Sequence, residues 1–147
     1  MIAESIADLL ARVRSVPVLA TSTGLFLAGK GADPTLQGIS MPGANVVFTQ
    51  DQVDEDPYTP SGRGPGRVPA QEVILSTHSV FIYLQNTNET DLLAVQLPVI
   101  EAVILAVKAN GLPSPKSRHG WRYIGQRYVL LPDRLIYEQR YTLNWVL

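Results

Sequence analysis

Leu135-Ile136-Tyr137-Glu138-Gln139-Arg140-Tyr141-Thr142-Leu143-Asn144-Trp145-Val146 alternates along its length. Tyr137, Gln139, Tyr141, Leu143 and Trp145 fall on one side of an extended chain, and Glu138, Arg140, Thr142 and Asn144 on the other. Successive strand side chains point to opposite faces, so this reads as a strand packed on one face and turned to water or a partner on the other. Arg122 to Leu130 reads as a second strand, and Pro132-Asp133-Arg134 between them has the chemistry of a tight turn. The chain is therefore expected to close with a β-hairpin.

Working back from the hairpin, the stretch from Asn86 to Ala109 predicts the main helix. Thr87 or Asn88 is its expected cap, and Asn110-Gly111, Pro113 and Pro115 stop it. Its apolar positions (Leu92, Leu93, Val95, Leu97, Ile100, Val103, Ile104, Val107) wrap most of the way round. Pro98 must kink it or begin a second helical piece. Glu72 to Gln85 before it predicts a long strand, with Val80, Ile82 and Leu84 pointing one way and Ser79, Phe81 and Tyr83 the other.

Half of the fourteen residues from Pro57 to Ala70 are glycine or proline, a composition that holds neither a helix nor a central strand. This 57–70 segment is expected to be a flexible loop, and long loops of that kind serve function or become ordered by a partner. Ala44 to Phe48 predicts a strand, while Pro17 to Gly43, punctuated by glycine and proline, resists classification. At the start, Ile2, Ile6, Leu9, Leu10 and Val13 recur at helical spacing, with Glu4, Asp8, Arg12 and Arg14 opposite them. The order is helix, loop, strand, long loop, strand, helix, strand, strand. That is one α+β domain over residues 1–147, with no internal repeat.

Composition narrows the function. Hydrophobic residues make up 46% and charged residues 17% of 147, which suits a globular domain with some apolar surface covered by partner subunits. The net charge of -1 lacks the global basic excess of a nucleic-acid binder. Charge is nevertheless uneven: from Lys116 to Leu147 there are six basic residues against two acids, and Asp51, Asp54, Glu55 and Asp56 form an acidic turn. With no cysteine, disulfides and thiolate metal sites are excluded. Glu4 and Asp8 are wrong for a signal peptide, and Gln96, Pro98 and Glu101 interrupt the longest apolar run, so a soluble protein of the cytoplasm is expected, with no membrane span.

No catalytic motif survives scrutiny. Gly24-Leu25-Phe26-Leu27-Ala28-Gly29-Lys30-Gly31 matches a phosphate-binding loop through the lysine, then places glycine where serine or threonine must ligate magnesium. Pro34, Gly38 and Pro42 also prevent the helix such a loop must open. His78 and Ser79 are adjacent on a strand and so face opposite ways, which is wrong for a triad. His78 and His119 lack metal-ligand spacing, and the acidic turn lacks the calcium-loop pattern. Gly62-Arg63-Gly64-Pro65-Gly66-Arg67 is open to three readings: a phosphate grip, an arm that docks on a neighbouring subunit, or a plain loop. Asn88-Glu89-Thr90 is a glycosylation sequon only in form, since nothing indicates secretion. No enzyme activity and no cofactor are expected.

The element order resembles that of the tail terminator (tail completion) proteins of long-tailed bacteriophages. The likeness rests on the N-terminal helix Ile2 to Val13, the loop Asp51 to Ala70, and Val73 to Leu84 leading into the helix Asp91 to Ala109. It is strongest in the hairpin, with Trp121 and Tyr123 in one strand and Tyr137 to Leu143 in the other. The resemblance covers nearly the whole chain in pattern, without a diagnostic short motif, and Pro17 to Gly43 is longer and richer in glycine than the pattern needs.

It implies a mixed, mainly antiparallel sheet with helices on one face, assembled as a homo-hexameric ring. Such a ring ends polymerisation of the tail tube (and sheath), receives the head-tail connector or stopper protein, and lets DNA pass only through its lumen. The location implied is the virion tail or neck, assembled in a bacterial host cytoplasm. Arg63 and Arg67 are candidates for a loop contacting a neighbour or the tube, and Glu138, Arg140, Thr142 and Asn144 for a polar lumen or subunit surface. Alternatives are another head-tail joining protein, such as a head completion or connector subunit, or a small-molecule-binding or enzymatic domain using the Gly24 to Gly31 loop.

Overall fold

The computed structural model describes residues 2–26, 41–53, 73–109 and 111–146. The predicted loop 57–70 with Arg63 and Arg67, the acids Asp54, Glu55 and Asp56, and Lys30 of the glycine-rich stretch lie outside the described residues. The elements are helix α1 (Ile2–Arg14), a 3-10 turn (Pro17–Leu19), strands β1 (Thr23–Phe26), β2 (Gly43–Val53) and β3 (Val73–Gln85), helix α2 (Glu89–Val107), and strands β4 (Arg122–Leu130) and β5 (Arg134–Val146). The five strands form one sheet in the order β1-β2-β3-β5-β4, parallel between β1 and β2 and antiparallel elsewhere. This is an α+β fold with a mixed, mainly antiparallel sheet that closes with the β4–β5 hairpin.

Cross-strand partners share a face, so the register sorts the side chains. Val46 sits opposite Val80, Ile82 opposite Tyr137, His78 opposite Tyr141 and Ser76 opposite Leu143. That face carries the core, and both helices lie on it: Leu9 and Val13 of α1 and Val99, Ile100, Val103 and Val107 of α2 pack with Val46, Val80, Ile82, Leu84, Leu135, Tyr141 and Leu143. The other face carries Val47, Thr77, Ser79, Tyr83, Glu138, Arg140 and Thr142, of which all but Arg140 are buried. No described helix packs against it.

Several sequence expectations need correction. β2 runs on to Val53 where only Ala44 to Phe48 was expected, because the thirteen-residue β3 offers a partner along its whole length, across a bulge at Thr49. Asp51 therefore belongs to a strand and not to an acidic turn. Helix α2 spans 19 residues with a mean hydropathy of 1.9, long and apolar enough to cross a membrane by length and composition, contrary to the sequence reading. Its buried residues Gln96, Val99, Ile100, Val103 and Val107 mark one face set against the sheet, and the rest of the span is largely uncovered.

As expected, Pro98 begins a second helical piece: it stands in the first turn of the α-helical stretch Leu97–Val107, the C-terminal part of α2. Leu92 to Gln96 form a π turn, in which the Leu97 amide bonds back to the Leu92 carbonyl. The widened turn carries the helix past a residue with no N–H and a ring that crowds the carbonyl four residues back. Asn88 is the cap, its side chain accepting from the Asp91 amide at 2.9 Å.

Candidate functional site

Among the described residues, three polar side-chain arrangements of the interior are closed to solvent. On α1, the Ser5 hydroxyl donates to the Ile2 carbonyl at 2.9 Å and lies 3.4 Å from Nε2 of His78. With the hydroxyl proton already committed, Nε2 carries the ring proton and Nδ1 is a lone pair without a partner. Phe48 and Trp121 pack against the ring at 5.3 and 5.1 Å. Burial in this apolar cage lowers the His78 pKa from 6.5 to about 4. Ser5 and His78 are both fully buried, so a substrate has no access to this serine–histidine pair. Ser79 points away from it, as the strand period requires.

Across the sheet, Gln139 donates through Nε2 to the Ile100 carbonyl at 2.9 Å and accepts from the Tyr141 hydroxyl at 2.7 Å. Burial pushes the Tyr141 phenol upward, with a smaller contribution from Tyr123. The link ties β5 to α2 at a point where alternation predicted the face but not a buried amide. Gln139→Leu should cost about 2 kcal/mol, because a fully buried hydroxyl loses its acceptor. Adding Tyr141→Phe should recover at least half of that loss, since removing both partners leaves no orphan. Urea denaturation of the two single variants and the pair checks this, and simple additivity would refute it. In the third arrangement, the Trp145 indole donates to Ser76 Oγ at 2.7 Å.

Among the described residues, no group of three histidine, aspartate or glutamate side chains gathers as a metal site needs. Of the residues proposed for a lumen or subunit surface, Glu138 and Thr142 are buried, Asn144 is half-buried and Arg140 is exposed. Glu138 accepts from Nε of Arg127 at 2.7 Å. The face alternates as expected, but within one chain it offers less free polar surface than its sequence suggests.

The accessible features are apolar. Strand β4 is an edge of the sheet, where Tyr128 is 65% and Leu130 61% exposed, alongside Ile124 and Val129. Edge strands are commonly blunted by bulges or charge. The stretch Arg122 to Arg127 has both: a register shift between Tyr123 and Gly125, where Gly125 takes φ +148°, and the charges of its two arginines. Tyr128-Val129-Leu130 has neither. On the opposite layer, Leu93, Val95 and Leu105 leave the outer side of α2 apolar and open. Single exposed apolar residues need no explanation, but runs of them on two elements do. Sequence reasoning singled out neither, since apolar positions that wrap most of the way round α2 do not say which side stays open. The uncharged run Tyr128 to Leu131 was the available signal for β4.

Compared with protein-family models and with the curated proteins, the chain matches none.

Proposed function

We propose that this chain is a virion structural subunit, a tail terminator that assembles as a hexameric ring on the tail tube of a long-tailed bacteriophage and presents a surface for the head connector. The observation that carries the reading is the open apolar end of edge strand β4, together with a second apolar surface on α2. Two unlike apolar surfaces on one chain suit heterologous contacts, which generate rings when the rotation closes. The element order, the mixed sheet and the single helical layer agree with what the family resemblance implies. The ring number six, the tube and the connector come from that resemblance.

Light scattering after size exclusion, at low and high protein concentration, tests the reading. The expected particle is six times the 16.1 kDa chain mass, present at once or formed on concentration. Tyr128→Asp combined with Leu130→Asp should return the particle to monomer with thermal stability nearly unchanged, because both side chains are exposed. A wild-type chain that stays monomeric at every concentration and also fails to bind purified tail tubes would sink the proposal.

A further inference from the structure

We propose that the helix-free face of the sheet carries, along its β4 border, a surface that binds the phosphate backbone of duplex nucleic acid. Five cations share that face. Arg122 lies opposite Thr142, Arg127 opposite Glu138, and Arg140 opposite Gly125. Thr142, Arg140 and Glu138 in turn face Thr77, Ser79 and Phe81 of β3, the side without helices. The short ion pair between Arg127 and Glu138 shows the two side chains on the same side.

Lys116 and Arg118 extend the row. They flank Ser117, which bridges to Trp145, and the Lys116 carbonyl and Arg118 amide bond to Val146 and Asn144 of β5 at 2.9 Å. Trp145 is on the core face, so its bridge partner Ser117 is too, and Lys116 and Arg118 point to the opposite face.

All five cations are exposed, whereas the middle of that face (Thr77, Ser79, Tyr83, Thr142) is buried, so the accessible surface is the border alone. The acid among them, Glu138, is only 7% exposed and already paired. Among the described residues, Lys116, Arg118, Arg122 and Arg140 form no ion pair, so the border keeps a surplus of positive charge although the whole chain is at -1. Gly125 opposite Arg140 leaves no side chain to screen that guanidinium from the border.

Measured on β5, the row runs from the level of Val146 to that of Glu138, roughly 26 Å at the usual strand rise. That matches about eight base pairs of one rigid, uniformly charged duplex. Four of the five cations are arginine, whose planar fork suits phosphate oxygens better than an ammonium does. The contacts are to backbone and carry no sequence preference, so a bound duplex slides. Such a surface suits a ring that DNA traverses, yet it does not depend on the ring, because one subunit holds the whole row.

Fluorescence anisotropy of a labelled duplex of about 20 base pairs, titrated with the full chain between about 50 and 200 mM salt, tests the assignment. The expected result is binding that weakens steeply with salt, with a log–log slope near -4. Arg122→Gln with Arg140→Gln should weaken binding about tenfold at the lower salt and flatten the slope by about 2. Lys108→Gln, an exposed cation just past α2, should leave both unchanged. No binding at the lowest salt, or a double variant that binds like the wild type, overturns the proposal. So does a polyglutamate peptide that binds more tightly than the duplex, which would assign the row to an acidic protein partner. The oligomeric state is read separately, so a failed ring and a failed nucleic-acid surface are told apart.

Discussion

As the pH falls from 6.5 to about 4, the protein is expected to lose about 3 kcal/mol of stability to one side chain, His78. The unfolded chain takes up a proton near 6.5, whereas the folded chain resists it until about 4. Across that window the unfolded state holds more protons, so stability rises with pH there, is complete above 6.5, and flattens below 4. A depression of that size, at about 1.4 kcal/mol per pH unit, gives the stated loss.

The cause is local. Protonated His78 would need an acceptor for Nδ1, and that atom has no partner between the rings of Phe48 and Trp121. The residues packed against it (Ser5 on α1, Phe48 on β2, Tyr141 on β5, and Trp121) offer no carboxylate to hold the imidazolium. Asp8, the nearest acid by connection, spends one oxygen on the Trp121 indole and the Arg12 guanidinium.

Urea midpoints at several pH values for wild type and His78→Phe check the claim. The variant should lose most of the acid sensitivity in this window, since phenylalanine keeps a ring in the cage and carries no proton. A variant as acid-sensitive as wild type would place the loss on carboxylates instead. Any cost of repacking appears at neutral pH and does not affect the slope, which is the quantity that decides.

The same histidine shows where sequence reading stops. The strand period placed His78 and Ser79 on opposite faces, which excluded a triad between them, and the structure agrees. Nothing in the period foretold that Ser5, 73 residues away, would meet the imidazole. Periodicity reports the face of a side chain, and partners come from packing between elements. The hairpin, α1, β3 and the Asn88 cap were legible because each has a long repeat or a specific local signal. β1 was not, since four residues in a parallel pair carry no pattern of their own. For α2, apolar positions recur most of the way round, yet only one face meets the sheet. A sequence counts apolar residues but not the surface left to cover them. The exposed remainder therefore became the candidate interface only once the fold was known.

Arg12 makes the point with the second large effect. Read from its period it belongs to the polar side of α1, and a solvated arginine costs almost nothing to remove. In the structure its side chain is 13% exposed and ties α1 to the end of α2. Nη1 donates to the carbonyls of Val107 and Ala109 at 3.1 and 2.6 Å, Nη2 to that of Gly111 at 3.0 Å, and Nε to Asp8 at 2.7 Å. A helix ends with carbonyls that have no intrahelical partner, and here one guanidinium takes the Val107 carbonyl and two just past the helix while placing positive charge at the negative end of the dipole.

Arg12→Met, which keeps the apolar stem, should therefore cost about 3 kcal/mol. Arg12→Lys should recover little of it, because a point ammonium cannot span three carbonyls and a carboxylate at once. Hydrogen exchange should localise the loss: amides in the last turn of α2 should speed up more than those of the β4–β5 hairpin. A methionine variant within about 0.5 kcal/mol of wild type would return Arg12 to the solvated face. If the loss is seen, assembly gives the functional readout, since the apolar outer face of α2 is only as well positioned as the helix end that Arg12 holds. Under the ring reading, the variant should need a higher protein concentration to assemble, while Tyr128 and Leu130 remain untouched.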